Sequence, residues 1–117
     1  MMPEKVLQVI ETYRQLFVDR GIGKIDYPHD ELLEYAEIGL NHCHGMLEKM
    51  IEFIHEERME KAFRWLGFVQ GVLWANQAYT LADLKNHNRM TMEEKEEGFK
   101  LDDDLDQKDQ FEDGGEA

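Results

Sequence analysis

The stretch that decides the fold is residues 59–89, MEKAFRWLGFVQGVLWANQAYTLADLKNHNR. Its apolar residues recur at helical spacing, and Gly67, Gly71 and Ala75 follow one another every four residues. On a helix these three small residues form one smooth ridge. A glycine inside a helix costs about 1 kcal/mol relative to alanine, so two on one face suggest that another backbone approaches there. The stretch therefore predicts the central helix of a small helical domain.

The same helical periodicity extends through most of the preceding sequence and predicts an all-α fold. Pro3 suits a first helical turn, and Gly21 is a typical C-terminal stop. Asp30 is a suitable N-cap for the second helix, while Thr80 and Asp83 fit an acidic capping box before the last one. No stretch alternates with period two, as a strand would. We predict a bundle of three main helices plus a short fourth, at 3–20, 30–55, 59–76 and 81–88.

The composition changes sharply near the end of the chain. Residues 93–117 hold twelve acidic residues and three lysines, a net charge of −9, whereas residues 1–92 have a net charge of −4. A segment with few apolar residues and much like charge cannot bury enough surface to become ordered. We therefore expect one helical domain, residues 1–92, followed by a disordered acidic tail, residues 93–117.

Charge, hydropathy and cysteine usage exclude several classes of function. The net charge of −13 leaves no basic surplus for direct binding to a nucleic-acid backbone. No apolar run reaches the ~20 residues that a membrane span needs. Cys43 is the single cysteine, so an internal disulfide is impossible. The first residues carry acids where a signal peptide needs basic residues, and a cytoplasmic protein is therefore expected.

One set of side chains has the residue types of a metal site. Glu52 and His55 have the Glu-x-x-His spacing that di-iron helical bundles use twice, but it occurs once here. At helical spacing His44 and Glu48 share a broad face with this pair. The residues therefore fit a single divalent metal ion held by His44, Glu48, Glu52 and His55. The alternative is a polar flank with one half-buried histidine and no metal.

The acidic pair Glu31-Leu-Leu-Glu34 and the closing segment VLWANQAYTLADLKNHNR, residues 72–89, resemble MazG-like nucleotide pyrophosphohydrolases. The resemblance implies an all-helical enzyme in which Glu-x-x-Glu on one helix and Glu-x-x-Asp on the next hold magnesium. Arg64-Trp65-Leu66-Gly67 stands where the second acidic pair belongs. Two magnesium ions would then lack ligands.

A second resemblance covers about residues 44–89. The segment RWLGFVQGVLW, residues 64–74, followed by LKNHNR, residues 84–89, is similar to small proteins of tailed bacteriophages, most of them without a known function. It transfers no site residue. It implies that the chain binds a host protein rather than catalysing a reaction.

We therefore expect a non-enzymatic interaction protein with no catalytic residues and no bound cofactor. The interaction surface would consist of the small ridge and two flanking tryptophans, that is Trp65, Gly67, Gly71, Trp74 and Ala75. The ridge fits either packing against the first helix, or a contact with a second copy or with another protein. The acidic tail suits a partner that is basic or itself binds nucleic acid, because it mimics the charge of a nucleic acid.

Overall fold

The computed structural model describes residues 2–89, and every regular element in this range is a helix. Helix α1 spans Pro3–Asp19, α2 Ile38–His55, α3 Met59–Ala75 and α4 Leu81–Asn88. The predicted all-α fold with three main helices and a short fourth is thus confirmed. The predicted acidic tail, residues 93–117, lies outside the described residues. Within residues 2–89 no helix is long and apolar enough to cross a bilayer.

The centre of the domain is α2, not α3 as the sequence predicted. Helix α2 packs against both α1 and α3, and α4 packs against α1 and is hydrogen-bonded to α3 through Asn88 and Gln70. The buried face of α3 therefore meets α2, and within residues 2–89 no helix lies over its opposite face. The core between the helices is almost entirely apolar, and its fully buried large side chains include Ile10, Tyr13, Phe17, Leu47, Met50 and Leu73.

The three main helices end in the same backbone motif, in which the chain turns through a left-handed residue. After α1, Gly21 has φ of 69°, and the next amide, of Ile22, donates to the Phe17 carbonyl. The equivalent left-handed residues after α2 and α3 are Glu57, with φ of 63°, and Gln77, with φ of 64°. This Schellman arrangement satisfies carbonyl groups that a helix end leaves unpaired. It explains how α2 turns into α3 without glycine or proline.

The predicted start of the second helix was wrong by eight residues, since α2 begins at Ile38 rather than near Asp30. Leu32 and Leu33, expected just inside the helix, are 93% and 46% exposed. The Tyr27 hydroxyl donates to the Leu32 carbonyl at 3.0 Å, which ties this part of the chain into a turn. Residues 22–37, called the crossing segment below, instead run across the N-terminal half of α2.

Candidate functional site

The crossing segment is held by a polar run on α2. The Asn41 side chain donates to the Gly23 carbonyl at 2.9 Å, and the Ile25 amide donates to the Asn41 carbonyl at 3.2 Å. The Tyr27 amide donates to Nδ1 of His42 at 3.1 Å. These contacts satisfy backbone groups that an extended segment would otherwise leave unpaired.

Gly45 lets the crossing segment approach the α2 backbone. A Cβ atom at this position would lie 2.7 Å from the carbonyl oxygen of Ile25, which is closer than real Cβ atoms come. Gly39 makes a similar but looser contact on the α3 side, where a Cβ would lie 3.2 Å from Val72 Cγ1. The glycines that permit close approach are therefore on α2.

His44 is 5% exposed and belongs to the core rather than to a surface site. Its Nδ1 donates to the Ile22 carbonyl at 2.7 Å, and its ring lies 5.2 Å from the ring of Phe17. This bond requires a proton on Nδ1, because the carbonyl can only accept. Its Nε2 is buried and has no hydrogen-bond partner. The histidine thus holds the start of the crossing segment.

The structure does not bring the four predicted metal ligands together. Glu48 is paired with Lys24 at 2.6 Å, and the hydrogen bond from Lys24 holds the pKa of the Glu48 carboxyl below its usual range. Glu52 and His55 are exposed, whereas His44 points into the core. Among residues 2–89 no three histidine, cysteine or acidic side chains are arranged to hold a metal ion.

The acidic pair of the pyrophosphohydrolase resemblance lies outside the helices. Glu31 and Glu34 are exposed residues of the crossing segment. A Glu-x-x-Glu pair places two carboxylates on one face only when the backbone is helical. The chain therefore lacks the helical first half of that magnesium motif, in addition to the missing second half.

A groove of about 650 Å³ lies between the crossing segment, α2 and α3. This volume falls in the ~300–1,000 Å³ range of ligand-binding clefts. Its apolar lining comes from all three parts of the fold and includes Ile25, Leu33, Met46, Trp65, Phe68 and Val72. Lys24, Asp26, His29, His42, Glu48 and Lys49 supply polar groups to its lining.

The charged groups of the groove are largely paired with each other. His29 Nε2 lies 2.9 Å from Asp26 Oδ1, and the hydrogen bond from His29 lowers the pKa of the Asp26 carboxyl. Lys24 is paired with Glu48 in the same way. The groove therefore offers apolar surface with a nearly neutral rim, which suits an apolar side chain of a partner better than a small ion.

The predicted ridge on α3 is open in the folded chain. A Cβ atom at Gly67 or Gly71 would meet no atom of residues 2–89 within 4 Å, apart from its own helix. Of the two alternatives for the ridge, packing against the first helix is therefore contradicted, because α2 covers the opposite side of α3. The exposed residues on this side are called the outer face of α3, and they are Glu60, Phe63, Arg64, Gly67, Phe68, Gly71, Trp74 and Ala75. Glu60 and Arg64 form an ion pair at 4.0 Å.

The two tryptophans that were predicted to flank the ridge belong to different surfaces. Trp65 lines the groove and packs edge-on against Phe53, with ring centroids 4.9 Å apart. Trp74 is 51% exposed on the outer face. Phe68, which is 55% exposed, contributes to both surfaces. The predicted interaction residues are therefore split between a groove and an adjoining helix face.

A buried polar cluster fixes α4 to the rest of the domain. Gln70 Nε2 donates to the Tyr13 hydroxyl at 2.9 Å, and this hydroxyl is hydrogen-bonded to Nδ1 of His87 at 2.8 Å. The side-chain amides of Gln70 and Asn88 exchange hydrogen bonds of 2.8 and 3.1 Å. Burial raises the pKa of Tyr13 to about 12 and lowers the pKa of His87. The cluster has a structural role, because its side chains are hydrogen-bonded to one another.

Cys43 carries no candidate chemistry. It is fully buried, and burial raises the pKa of its thiol to about 12. A thiol needs to be a thiolate to act as a nucleophile.

The sequence did not reveal the groove, because one of its walls is the crossing segment. Helical periodicity identified Leu33 as an inward position of a helix that does not exist there. A usable signal was the pair of glycines on α2, Gly39 and Gly45, which marks positions where something approaches a helix closely.

Comparisons with protein-family models, with curated proteins and with solved structures gave no match to this chain.

Proposed function

We propose that this protein is a non-enzymatic interaction module that binds a segment of a partner protein in the groove. The observation that carries the proposal is an apolar groove, formed by three parts of the fold, beside a helix face with three exposed aromatic side chains. Soluble domains rarely leave contiguous apolar surface of this kind exposed unless it binds something.

The groove chemistry defines the kind of segment that fits it. A large apolar side chain of the partner would pack between Trp65, Phe68 and Leu33, where apolar surface is already assembled. Polar groups at the rim, including Lys49 and His42, would meet polar groups that flank this anchor. Buried anchors of this type contribute most of the affinity in protein interfaces.

The likeness to tailed-phage proteins leads us to propose a host protein in the cytoplasm as the partner. The acidic residues 93–117 favour a partner with a basic surface close to the bound segment. Charge complementarity of this kind mainly raises the association rate, and this effect becomes weaker as salt is added.

Two adjacent leucines provide a matched test of the groove. Leu33 lines the groove and is 46% exposed, whereas Leu32 is 93% exposed and lies outside it. Proteins captured from a host lysate by the wild-type chain are identified, and their binding to Leu33→Glu and Leu32→Glu is measured. We expect Leu33→Glu to lose the partner by tenfold or more and Leu32→Glu to retain it. Equal binding by both variants would refute the groove as the docking site.

A metal-dependent helical pyrophosphohydrolase is the competing proposal, and a metal titration separates the two. A ligand that binds the native state raises stability by RT ln(1 + [L]/Kd), or about 2.7 kcal/mol at a hundredfold excess over Kd. Thermal unfolding with magnesium, manganese or zinc should leave the midpoint unchanged if the chain is an interaction module. A metal-specific rise that Glu31→Gln or Glu34→Gln abolishes would favour the enzyme.

A further inference from the structure

Helix α4 is attached to the rest of the domain mainly by polar contacts. Of its eight residues, Leu84 alone is buried within residues 2–89. The capping box of Thr80 and Asp83 stabilises the start of the helix but does not join it to α1 or α3. An isolated helix of this length is not stable in water. If the contacts with α1 and α3 break, we therefore expect α4 to lose its helical structure as well.

The hydrogen bonds of the buried polar cluster leave one place for the proton of the Tyr13 hydroxyl. The two N–H groups of Gln70 Nε2 are directed to the Tyr13 oxygen and to Asn88 Oδ1. The Tyr13 oxygen therefore accepts from Gln70, and its own proton has Nδ1 of His87, at 2.8 Å, as its remaining partner among residues 2–89. A complete set of bonds thus requires that Nδ1 carries no proton.

A positive charge on His87 would leave this set incomplete. Nδ1 would then donate to the Tyr13 oxygen, which already accepts from Gln70, and the hydroxyl proton would lose its acceptor. Tyr13 is 0% exposed, so water cannot replace that acceptor while α4 is docked. A buried donor without a partner is costly, whereas an exposed one is satisfied by water. The docked helix therefore favours neutral His87, and the undocked helix accepts the charged form.

The groups around His87 act in both directions. They are Lys5 and Tyr13 from α1, Gln70 from α3, and Tyr79 and Asp83 from the chain at the start of α4. Burial has the largest effect and, with Lys5, lowers the pKa of His87, while Asp83 raises it. Because the folded pKa lies below the unfolded value, the stabilisation is present at neutral pH and is lost as the pH falls through the folded pKa.

We propose that α4 undocks from α1 and α3 when His87 takes up a proton, while the three main helices stay folded. Apart from Leu84, the described core consists of residues before α4. Undocking exposes Tyr13 and Gln70, and it increases the distance that residues 93–117, with a net charge of −9, can reach from the core. No residue of α4 lines the groove apart from none of 81–88, so this opening is independent of the groove proposal.

Amide hydrogen exchange of the full chain tests the opening. Protection factors, in which the intrinsic effect of pH on exchange is removed, are measured for α2, α3 and α4 at about pH 7.5 and about pH 5.5. In the wild type we expect the protection of α4 to fall roughly tenfold at the lower pH, since one buried donor loses its partner, and that of α2 and α3 to stay unchanged. An unchanged α4, or an equal loss in all three helices, would overturn the proposal.

Histidine variants separate the role of His87 from general effects of acid. His87→Asn keeps an acceptor oxygen close to the position of Nδ1 and cannot take up a proton, so the protection of α4 should not depend on pH. His87→Gln is a second neutral variant with a longer side chain and should behave in the same way. His55→Asn, at an exposed histidine of α2, should keep the wild-type pH dependence. A loss in both His87 variants equal to that of the wild type would overturn the proposal.

Discussion

Gly45 has a structural function that depends on its lack of a side chain. The carbonyl of Ile25 occupies the place of its Cβ, and Asn41 and His42 fix the neighbouring backbone of the crossing segment. One wall of the groove is therefore positioned by a glycine on α2. Gly67 on α3 has the opposite surroundings, with open space beside it.

Alanine at these two positions should have opposite effects on stability. In Gly45→Ala the new methyl group would overlap a backbone oxygen, and such overpacking costs about 1–3 kcal/mol, more than the ~1 kcal/mol gained in helix propensity. Gly67→Ala meets no atom and should gain about 0.5–1 kcal/mol. Urea unfolding measures both free energies. A stabilised Gly45→Ala would show that the crossing segment does not lie on α2.

His87 makes the fold sensitive to acid. Burial lowers its pKa, with opposing effects from Asp83, which raises the pKa, and Lys5, which lowers it. Because the folded pKa lies below the unfolded value of about 6.5, His87 contributes stability above that pH, and this contribution is lost as the pH falls through the folded pKa. The free energy of unfolding should therefore fall more between pH 7.5 and 5 for the wild type than for His87→Gln. Identical pH profiles would contradict a His87 whose pKa is lowered by burial in the folded chain.

At the scale of elements, sequence patterns located the helices but not what covers them. Residues 59–75 formed the predicted helix, yet its glycine ridge is open, because periodicity shows which residues share a face and not which face is buried. His44 suited a metal site or a polar flank by type, and it instead binds the backbone of the crossing segment, as Asn41 and His42 also do. That segment was predicted partly as helix, since nothing local shows that Tyr27 would bond to the Leu32 carbonyl.

The turn between α2 and α3 offers a prediction for a helix end. Glu57 is left-handed, a conformation that costs an ordinary L-residue about 1–2 kcal/mol and glycine almost nothing. Glu57→Gly should therefore raise the free energy of unfolding by about 0.5–1 kcal/mol, after the greater flexibility of unfolded glycine is subtracted. Thermal unfolding of this variant beside Glu56→Gly, at the right-handed neighbouring position, provides the comparison. A loss in Glu57→Gly equal to that in Glu56→Gly would argue against the Schellman end.

At the scale of the whole molecule, the core and the acidic charge occupy different parts of the chain. The described core is complete within residues 6–84, whereas residues 93–117 carry a net charge of −9. We predict that deleting 93–117 changes the melting temperature by less than ~4 °C, the shift produced by about 1 kcal/mol in a domain of this size. A larger loss would mean that Phe99, Leu101 or Phe111 docks on the helical domain.

The central structural claim is that no other part of residues 2–89 covers the outer face of α3 at Gly67 and Gly71 in the folded chain. The most direct test is the free energy of unfolding of Gly71→Leu, measured at a concentration where the chain is monomeric. Because leucine is the better helix former and meets no atom there, we predict a gain of up to about 1 kcal/mol. A loss of about 1–3 kcal/mol, as expected for overpacking, would show that this face is buried within the monomer and would contradict the claim.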